Sequence, residues 1–206
     1  MTEQRIAASP FLCLASASPR RRELLAQIGV PHIVHPADLD ESHLEGESPA
    51  DYVERLARAK DEAVWRQRSA AGDPTLPVLG ADTTVTIDGR VLGKPVDEAA
   101  LLAMFARLSG REHEVWSAVA LVTAAGVASN RSCTRVRFRI VEPDEVRRYW
   151  ATGEPADKAG GYAIQGYGAV FVEGIAGSYS GVVGLPLAET ARLLVAAGLD
   201  VWHSGA

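Results

Sequence analysis

Asp82 follows Val78-Leu79-Gly80-Ala81, four small or apolar residues that read as a buried strand. The pattern puts Asp82 at the C-terminal end of that strand, where open α/β sheets hold their ligands. A carboxylate there can bind a divalent cation or take a proton from water; the plainer alternative is a turn aspartate capping loop backbone. A second stretch, Leu12 to Leu25, reads as a strand that stops at Ala15-Ser16-Ala17-Ser18 and then opens a helix at Pro19. Proline suits the first helical position and Ser18 suits the N-cap. The Ser16 and Ser18 hydroxyls and the guanidinium groups of Arg20, Arg21 and Arg22 converge on that helix start. Its free N–H groups and positive dipole end favour an anion, and a phosphate above all. Arginines in a first turn oppose the dipole, so a bound anion would compensate them where solvated arginines would not.

Four other residues invite a role. Asp40 and Glu41 lie in an acidic loop, Asp38 to Glu47, and by themselves read as a solvated loop. They gain meaning only if the fold sets them opposite Asp82, where two carboxylates could share a metal. Lys60 interrupts an apolar helical face, and Lys94 is wedged between Gly93 and Pro95. Either could be a snorkelling surface lysine, but the rigid flanks of Lys94 favour a phosphate contact. Gln165, between Ile164 and Gly166, could read a base edge through its amide, or equally bond loop backbone. Several motifs fail. Gly89 to Lys94 is one residue short of a P-loop, Tyr179 stands where a nucleophile elbow needs serine, and the five histidines lack zinc spacing.

The elements that must position these groups alternate. Strands are expected at Ile33–His35, Val78–Ala81, Thr83–Ile87 and Arg90–Leu92, the last two joined by an Asp88-Gly89 hairpin turn. Two long strands follow, near His113–Thr123 and Val127–Val141, turning at Gly126. Ser48, Asp97, Pro143 and Pro186 start helices, and the first of these turns Val53, Leu56, Lys60, Ala63 and Val64 to one face. Glu154 to Gly184 is glycine-rich, with a short strand at Ala169–Val172. The class is α/β with mixed sheet character.

At 206 residues the chain suits one domain spanning 1–206, with residues 1–9 expected to form a flexible extension. A net charge of −5 argues against a dedicated nucleic-acid binder and in favour of a small anionic ligand in a local basic pocket. Cys13 and Cys133 are expected as reduced core thiols. Ala15-Ser16-Ala17 has the form of a signal-peptidase site, but Glu3 offsets Arg5 and Ser9-Pro10 interrupts the apolar stretch, so the expected location is cytoplasmic, with no membrane partner.

Together these pieces resemble the Maf family of nucleoside triphosphate pyrophosphatases. The matching segments include Leu14 to Arg21, Asp40-Glu41, Lys60, Gly80 to Thr83, Gly93-Lys94-Pro95 and Leu108-Ser109-Gly110 with His113. Asp157 to Gly160, Ile164 to Gly166 and Val183 to Leu187 follow in family order. The resemblance implies an α/β/α fold with a mixed twisted sheet and a cleft between two lobes, related to the inosine triphosphate pyrophosphatases. It implies hydrolysis of a nucleoside triphosphate to the monophosphate and pyrophosphate with a divalent cation, magnesium or manganese. Asp82 is then the expected proton acceptor, and Glu41 with Asp82 the metal or water-orienting pair. Ser16, Arg20, Arg21, Lys60 and Lys94 would grip the triphosphate. Arg20, Thr83 and Gln165 stand where the family separates substrates, and they look like the branch acting on dTTP and UTP. The 7-methyl-GTP branch has glutamine and glutamate at the second and third of these. A glutamine amide can meet a pyrimidine edge with both a donor and an acceptor. A slightly long loop before Asp40-Glu41 leaves open which of the two reaches the metal. The resemblance also implies removal of modified nucleotides and a role in cell-division arrest; the alternative is a nucleotide-binding regulator of septum formation. A homodimer is an inference from the resemblance alone.

Overall fold

The computed structural model describes residues 11–73 and 76–202. The extension expected at 1–9 lies outside them. Seven strands form one sheet in the order β2-β1-β3-β5-β6-β7, with β4 also paired to β3. They are β1 (Leu12–Leu14), β2 (His32–Val34), β3 (Val78–Ile87), β4 (Arg90–Leu92), β5 (Glu112–Thr123), β6 (Gly126–Phe138) and β7 (Val172–Ala176). β1 runs parallel to β2 and β3, and the other pairings are antiparallel. The mixed α/β class expected from the alternation is borne out.

Period-2 alternation divides the sheet into two unlike faces. Leu79, Ala81, Val119 and Leu121 point to the main core, which also holds residues of α1 (Pro19–Gln27), α3 (Glu98–Leu108), α4 (Pro143–Trp150) and α6 (Leu187–Ala196). Phe105 of α3 is its centre, meeting Phe171 edge-on at 5.1 Å and Tyr149 at 6.0 Å. Burying each such ring contributes roughly 1.5–3 kcal/mol. The opposite face carries small residues, Gly80, Ala118 and Ala120, and there α2 (Pro49–Ala70) lies down. The Ser48 hydroxyl caps α2 by accepting from the Asp51 N–H. The approach is so close that a Cβ on Gly80 would stand 2.1 Å from the Ala57 carbonyl oxygen.

Several expectations need correction. β3 does not end at Asp82 but continues to Ile87, because β5 pairs with it across the whole stretch from Val78 to Thr86. Ala169–Phe171 belongs to a 3₁₀ turn, and the strand begins at Val172, where β6 offers a pairing edge. β6 stops at Phe138, short of Val141. The Ser18 hydroxyl makes no cap; its own N–H donates to the Ser16 hydroxyl at 3.2 Å. On α2 it is Ala57 and Asp61, rather than Ala63, that join the buried face. Cys13 is buried as expected, but Cys133 is exposed, since alternation on β6 turns it outward. Gly177 to Gly184 holds a short helix, α5 (Tyr179–Val183), capped by the Ser178 hydroxyl.

Candidate active site

One edge of β3 is only partly covered. β1 pairs with it at Val78 and Leu79, and β4 at Val85 to Ile87, so Gly80 to Thr84 have a strand neighbour on the β5 side alone among the described residues. A cleft of about 430 Å³ opens at this gap. Adjacent residues of a strand point to opposite faces, yet at an open edge both Asp82 and Thr83 reach the same space.

Asp82 faces α2. Lys60, one turn beyond the tight Ala57–Gly80 contact, is buried and donates to Asp82 Oδ1 at 2.7 Å. The same ammonium lies 2.7 Å from Glu41 Oε1, so one cation joins two carboxylates from distant parts of the chain. Asp40 instead accepts from the Ser42 N–H at 2.9 Å and from its hydroxyl, and does not line the cleft. Burial pushes the Asp82 carboxyl above its ordinary range, while Lys60 and Arg21 pull it back. At Glu41 burial also acts upward, but the Lys60 hydrogen bond and charge outweigh it and the net shift is downward. No group of three or more His, Cys, Asp or Glu residues suits a metal among the described residues. Glu41 and Asp82, which share the Lys60 ammonium, are the two carboxylates beside the cleft floor that could face a magnesium-type ion, whose remaining ligands would come from water and phosphate.

The basic side chains expected to meet an anion line the same cleft. Arg21 donates from Nε to the Gly184 carbonyl at 2.8 Å and from Nη1 to the Ser16 hydroxyl at 3.1 Å, which aims its guanidinium along the cleft floor. Arg20 Nη1 stands 3.8 Å from Asp157 Oδ2 on the far wall. Lys94 lies at the cleft mouth, exposed. Arg22 points to solvent outside the cleft. Thr83 Oγ1 lies 3.4 Å from the same Gly184 carbonyl and meets Ser117 Oγ at 2.9 Å, and Ser117 donates to the Gly181 carbonyl at 2.7 Å. Gln165 sits in a turn closed by the Gly166 N–H on the Ala163 carbonyl at 3.1 Å and is exposed into the cleft.

Thus Ser16, Arg20, Arg21, Glu41, Lys60, Asp82, Thr83, Lys94 and Gln165, scattered over 150 positions, all line one cleft. Residues 11–197 match the family profile described as Maf-like protein. The chain belongs to the Maf family. It is 52% identical over 197 residues to the dTTP/UTP pyrophosphatase of Nitrosomonas europaea, covering 92% of this chain and 95% of that protein. With the dTTP/UTP pyrophosphatase of Bordetella parapertussis the identity is 53% over 206 residues, covering 98% and 100%. A solved structure, the Ham1 protein of Staphylococcus aureus, is similar over 76% of this chain and 77% of that one, at 13% identity and a TM-score of 0.41.

The cleft of this Maf chain also holds residues to which sequence reasoning assigned no role. Asp157 and Lys158 pair with each other on its wall, and Lys158 brings the basic side chains lining it to five, against three acidic ones. Their place beside Gly160 and Gly161 was a usable signal. The Gly184 carbonyl that anchors Arg21 had none, since a backbone acceptor leaves no mark in side-chain pattern.

Proposed function

We propose that this chain hydrolyses dTTP and UTP to the nucleoside monophosphate and pyrophosphate. The observation that carries the reading is the Asp82–Lys60–Glu41 cluster, with Asp82 and Lys60 buried, in a cleft lined mainly by basic side chains, in a chain 52–53% identical to proteins named dTTP/UTP pyrophosphatase. In this reading the triphosphate lies along Ser16, Arg20, Arg21 and Lys94, and the base meets Thr83 and Gln165. Asp82 takes a proton from the attacking water, whose oxygen bonds to the α-phosphorus as the bond to the bridging oxygen of pyrophosphate breaks. Burial raises the Asp82 carboxyl above its ordinary range, which strengthens it as a base, while Lys60 and Arg21 favour its charged form. The cationic side chains stabilise charge on the departing pyrophosphate. Glu41 and Asp82 would hold a magnesium or manganese ion, which when bound supplies Lewis-acid polarisation of the phosphate oxygens. The cellular consequence is a pool cleared of modified pyrimidine nucleotides, and the location in which it acts is the cytoplasm. No helix among the described residues is long and apolar enough to cross a membrane.

The test is pyrophosphate release across a panel of nucleoside triphosphates with magnesium or manganese. UTP and dTTP should be the best substrates, and Asp82→Asn should lose about 10²–10⁴-fold in turnover while still binding nucleotide. Near-normal turnover in that variant would refute the role of Asp82. A chain that binds UTP yet releases no pyrophosphate would instead support the nucleotide-sensing regulator.

A further inference from the structure

The turn that displays Gln165 is held from behind by a carboxylate that does not line the cleft. Glu154 Oε2 accepts from the Tyr167 N–H and Oε1 from the Gly168 N–H, both at 2.9 Å. Its Oε1 also accepts the Tyr149 hydroxyl at 2.7 Å. That hydroxyl in turn accepts the Ala163 N–H at 3.2 Å. The Ala163–Gly166 turn is therefore gripped on both flanks by one linked pair of side chains. Gly166 shows how tightly the carboxylate is wedged, for a Cβ there would lie 2.0 Å from Glu154 Oε2. The pair is rigid in its own right, because the Tyr149 ring is buried against Phe105 and Phe171 at 6.0 and 5.1 Å. Although burial pushes Glu154 upward, its hydrogen bonds with Tyr149, Gly168 and Tyr167 bring it below the ordinary range, so it is ionised near neutral pH.

The geometry points to Glu154 and Tyr149 as positioning residues for base selection, fixing the Gln165 amide where it meets a pyrimidine edge. A side chain on a free turn would sample many orientations, and ordering the turn is then a cost that binding must meet. A turn already held by three charge-assisted or hydroxyl hydrogen bonds has met its share of that cost before the nucleotide arrives. The inference rests on the proposed reading that Gln165 faces the base.

The experiment compares UTP with ribose 5′-triphosphate, which carries the same phosphates and no base. Four proteins are assayed for pyrophosphate release: wild type, Glu154→Gln, Tyr149→Phe and Gln165→Ala. Glu154→Gln loses the charge and one acceptor, and should raise KM for UTP about tenfold with kcat changed less than threefold. Its kcat/KM for ribose 5′-triphosphate should stay at the wild-type value, so the preference for the base falls about tenfold. Tyr149→Phe should move the preference in the same direction by a smaller factor, and it decides the matter if Glu154→Gln does not fold. Equal losses on both substrates would mean a general structural role and overturn the inference. So would an unchanged preference in both variants while Gln165→Ala abolishes it, an outcome that leaves the reading of Gln165 intact. If Gln165→Ala itself leaves the preference unchanged, the reading of Gln165 falls and the inference falls with it.

Discussion

By its own position in the sequence Lys60 was a lysine out of place on an apolar helical face, and only the family resemblance gave it a phosphate role. Its meaning came from a partner 22 residues away and another on a loop, both at 2.7 Å. Of Asp40 and Glu41, it is Glu41 that reaches Lys60 and lines the cleft. Removing the ammonium should leave the Asp82 carboxylate buried without its counter-charge. Burial then dominates and the Asp82 carboxyl titrates at higher pH than in the wild type. Because Asp82 must be ionised to accept a proton, activity falls as pH drops through its pKa. The acid limb of the kcat–pH profile of Lys60→Met should therefore move to higher pH, with kcat at the plateau lowered by about 10²–10³-fold through the positive charge lost beside Asp82. An acid limb that stays in place would count against the coupling.

At the scale of elements, the active site depends on how closely α2 can approach β3. Gly80, Ala118 and Ala120 leave room for the helix backbone, and the contact at Gly80 sets the height from which Lys60 reaches Asp82. A methyl group at Gly80 meets backbone and not a flexible side chain, so the helix itself must move. Gly80→Ala should cost about 1–3 kcal/mol by overpacking, read from urea denaturation, and should lower turnover in the folded protein by shifting Lys60. Unchanged stability would mean that α2 can slide without penalty. The small residues were legible, but not their reason. The strand around Asp82 was legible in part, for its apolar start is plain and its continuation through Asp82-Thr83-Thr84 depends on β5 pairing on one side only.

At the scale of the molecule, two buried titratable groups lie outside the proposed chemistry and act on stability in opposite senses. Asp61 is fully buried, neither of its carboxylate oxygens has a hydrogen-bond partner of good geometry among the described residues, and burial pushes its pKa to about 8 against a weaker pull from the Glu62 N–H. A raised carboxyl pKa makes stability fall as pH rises from the unfolded value through the folded one. His113, bonded to the Tyr162 hydroxyl at 2.8 Å, is lowered by burial to about 4. A depressed histidine loses stability as pH falls from about 6.5 toward 4. The two oppose each other in the acid range, and from about pH 6.5 to 8 the Asp61 contribution stands alone, at up to about 1.4 kcal/mol per pH unit. Urea midpoints should decline over that window in the wild type and decline less in Asp61→Asn, which cannot ionise; parallel declines would exclude Asp61. The sequence alone determined the alternation of strands and helices, the helix start at Pro19 and the set of residues that mark a Maf chain. These are local properties, set by periodicity, capping chemistry and side-chain type. Only the tertiary structure decided that β1 and β4 leave one edge of five β3 residues without a strand neighbour among the described residues, that Glu41 and not Asp40 meets Lys60, and that the Glu154 carboxylate accepts from the Tyr167 and Gly168 N–H groups behind the cleft wall. Each depends on strand pairing or backbone contact between distant segments, which residue type and spacing do not encode.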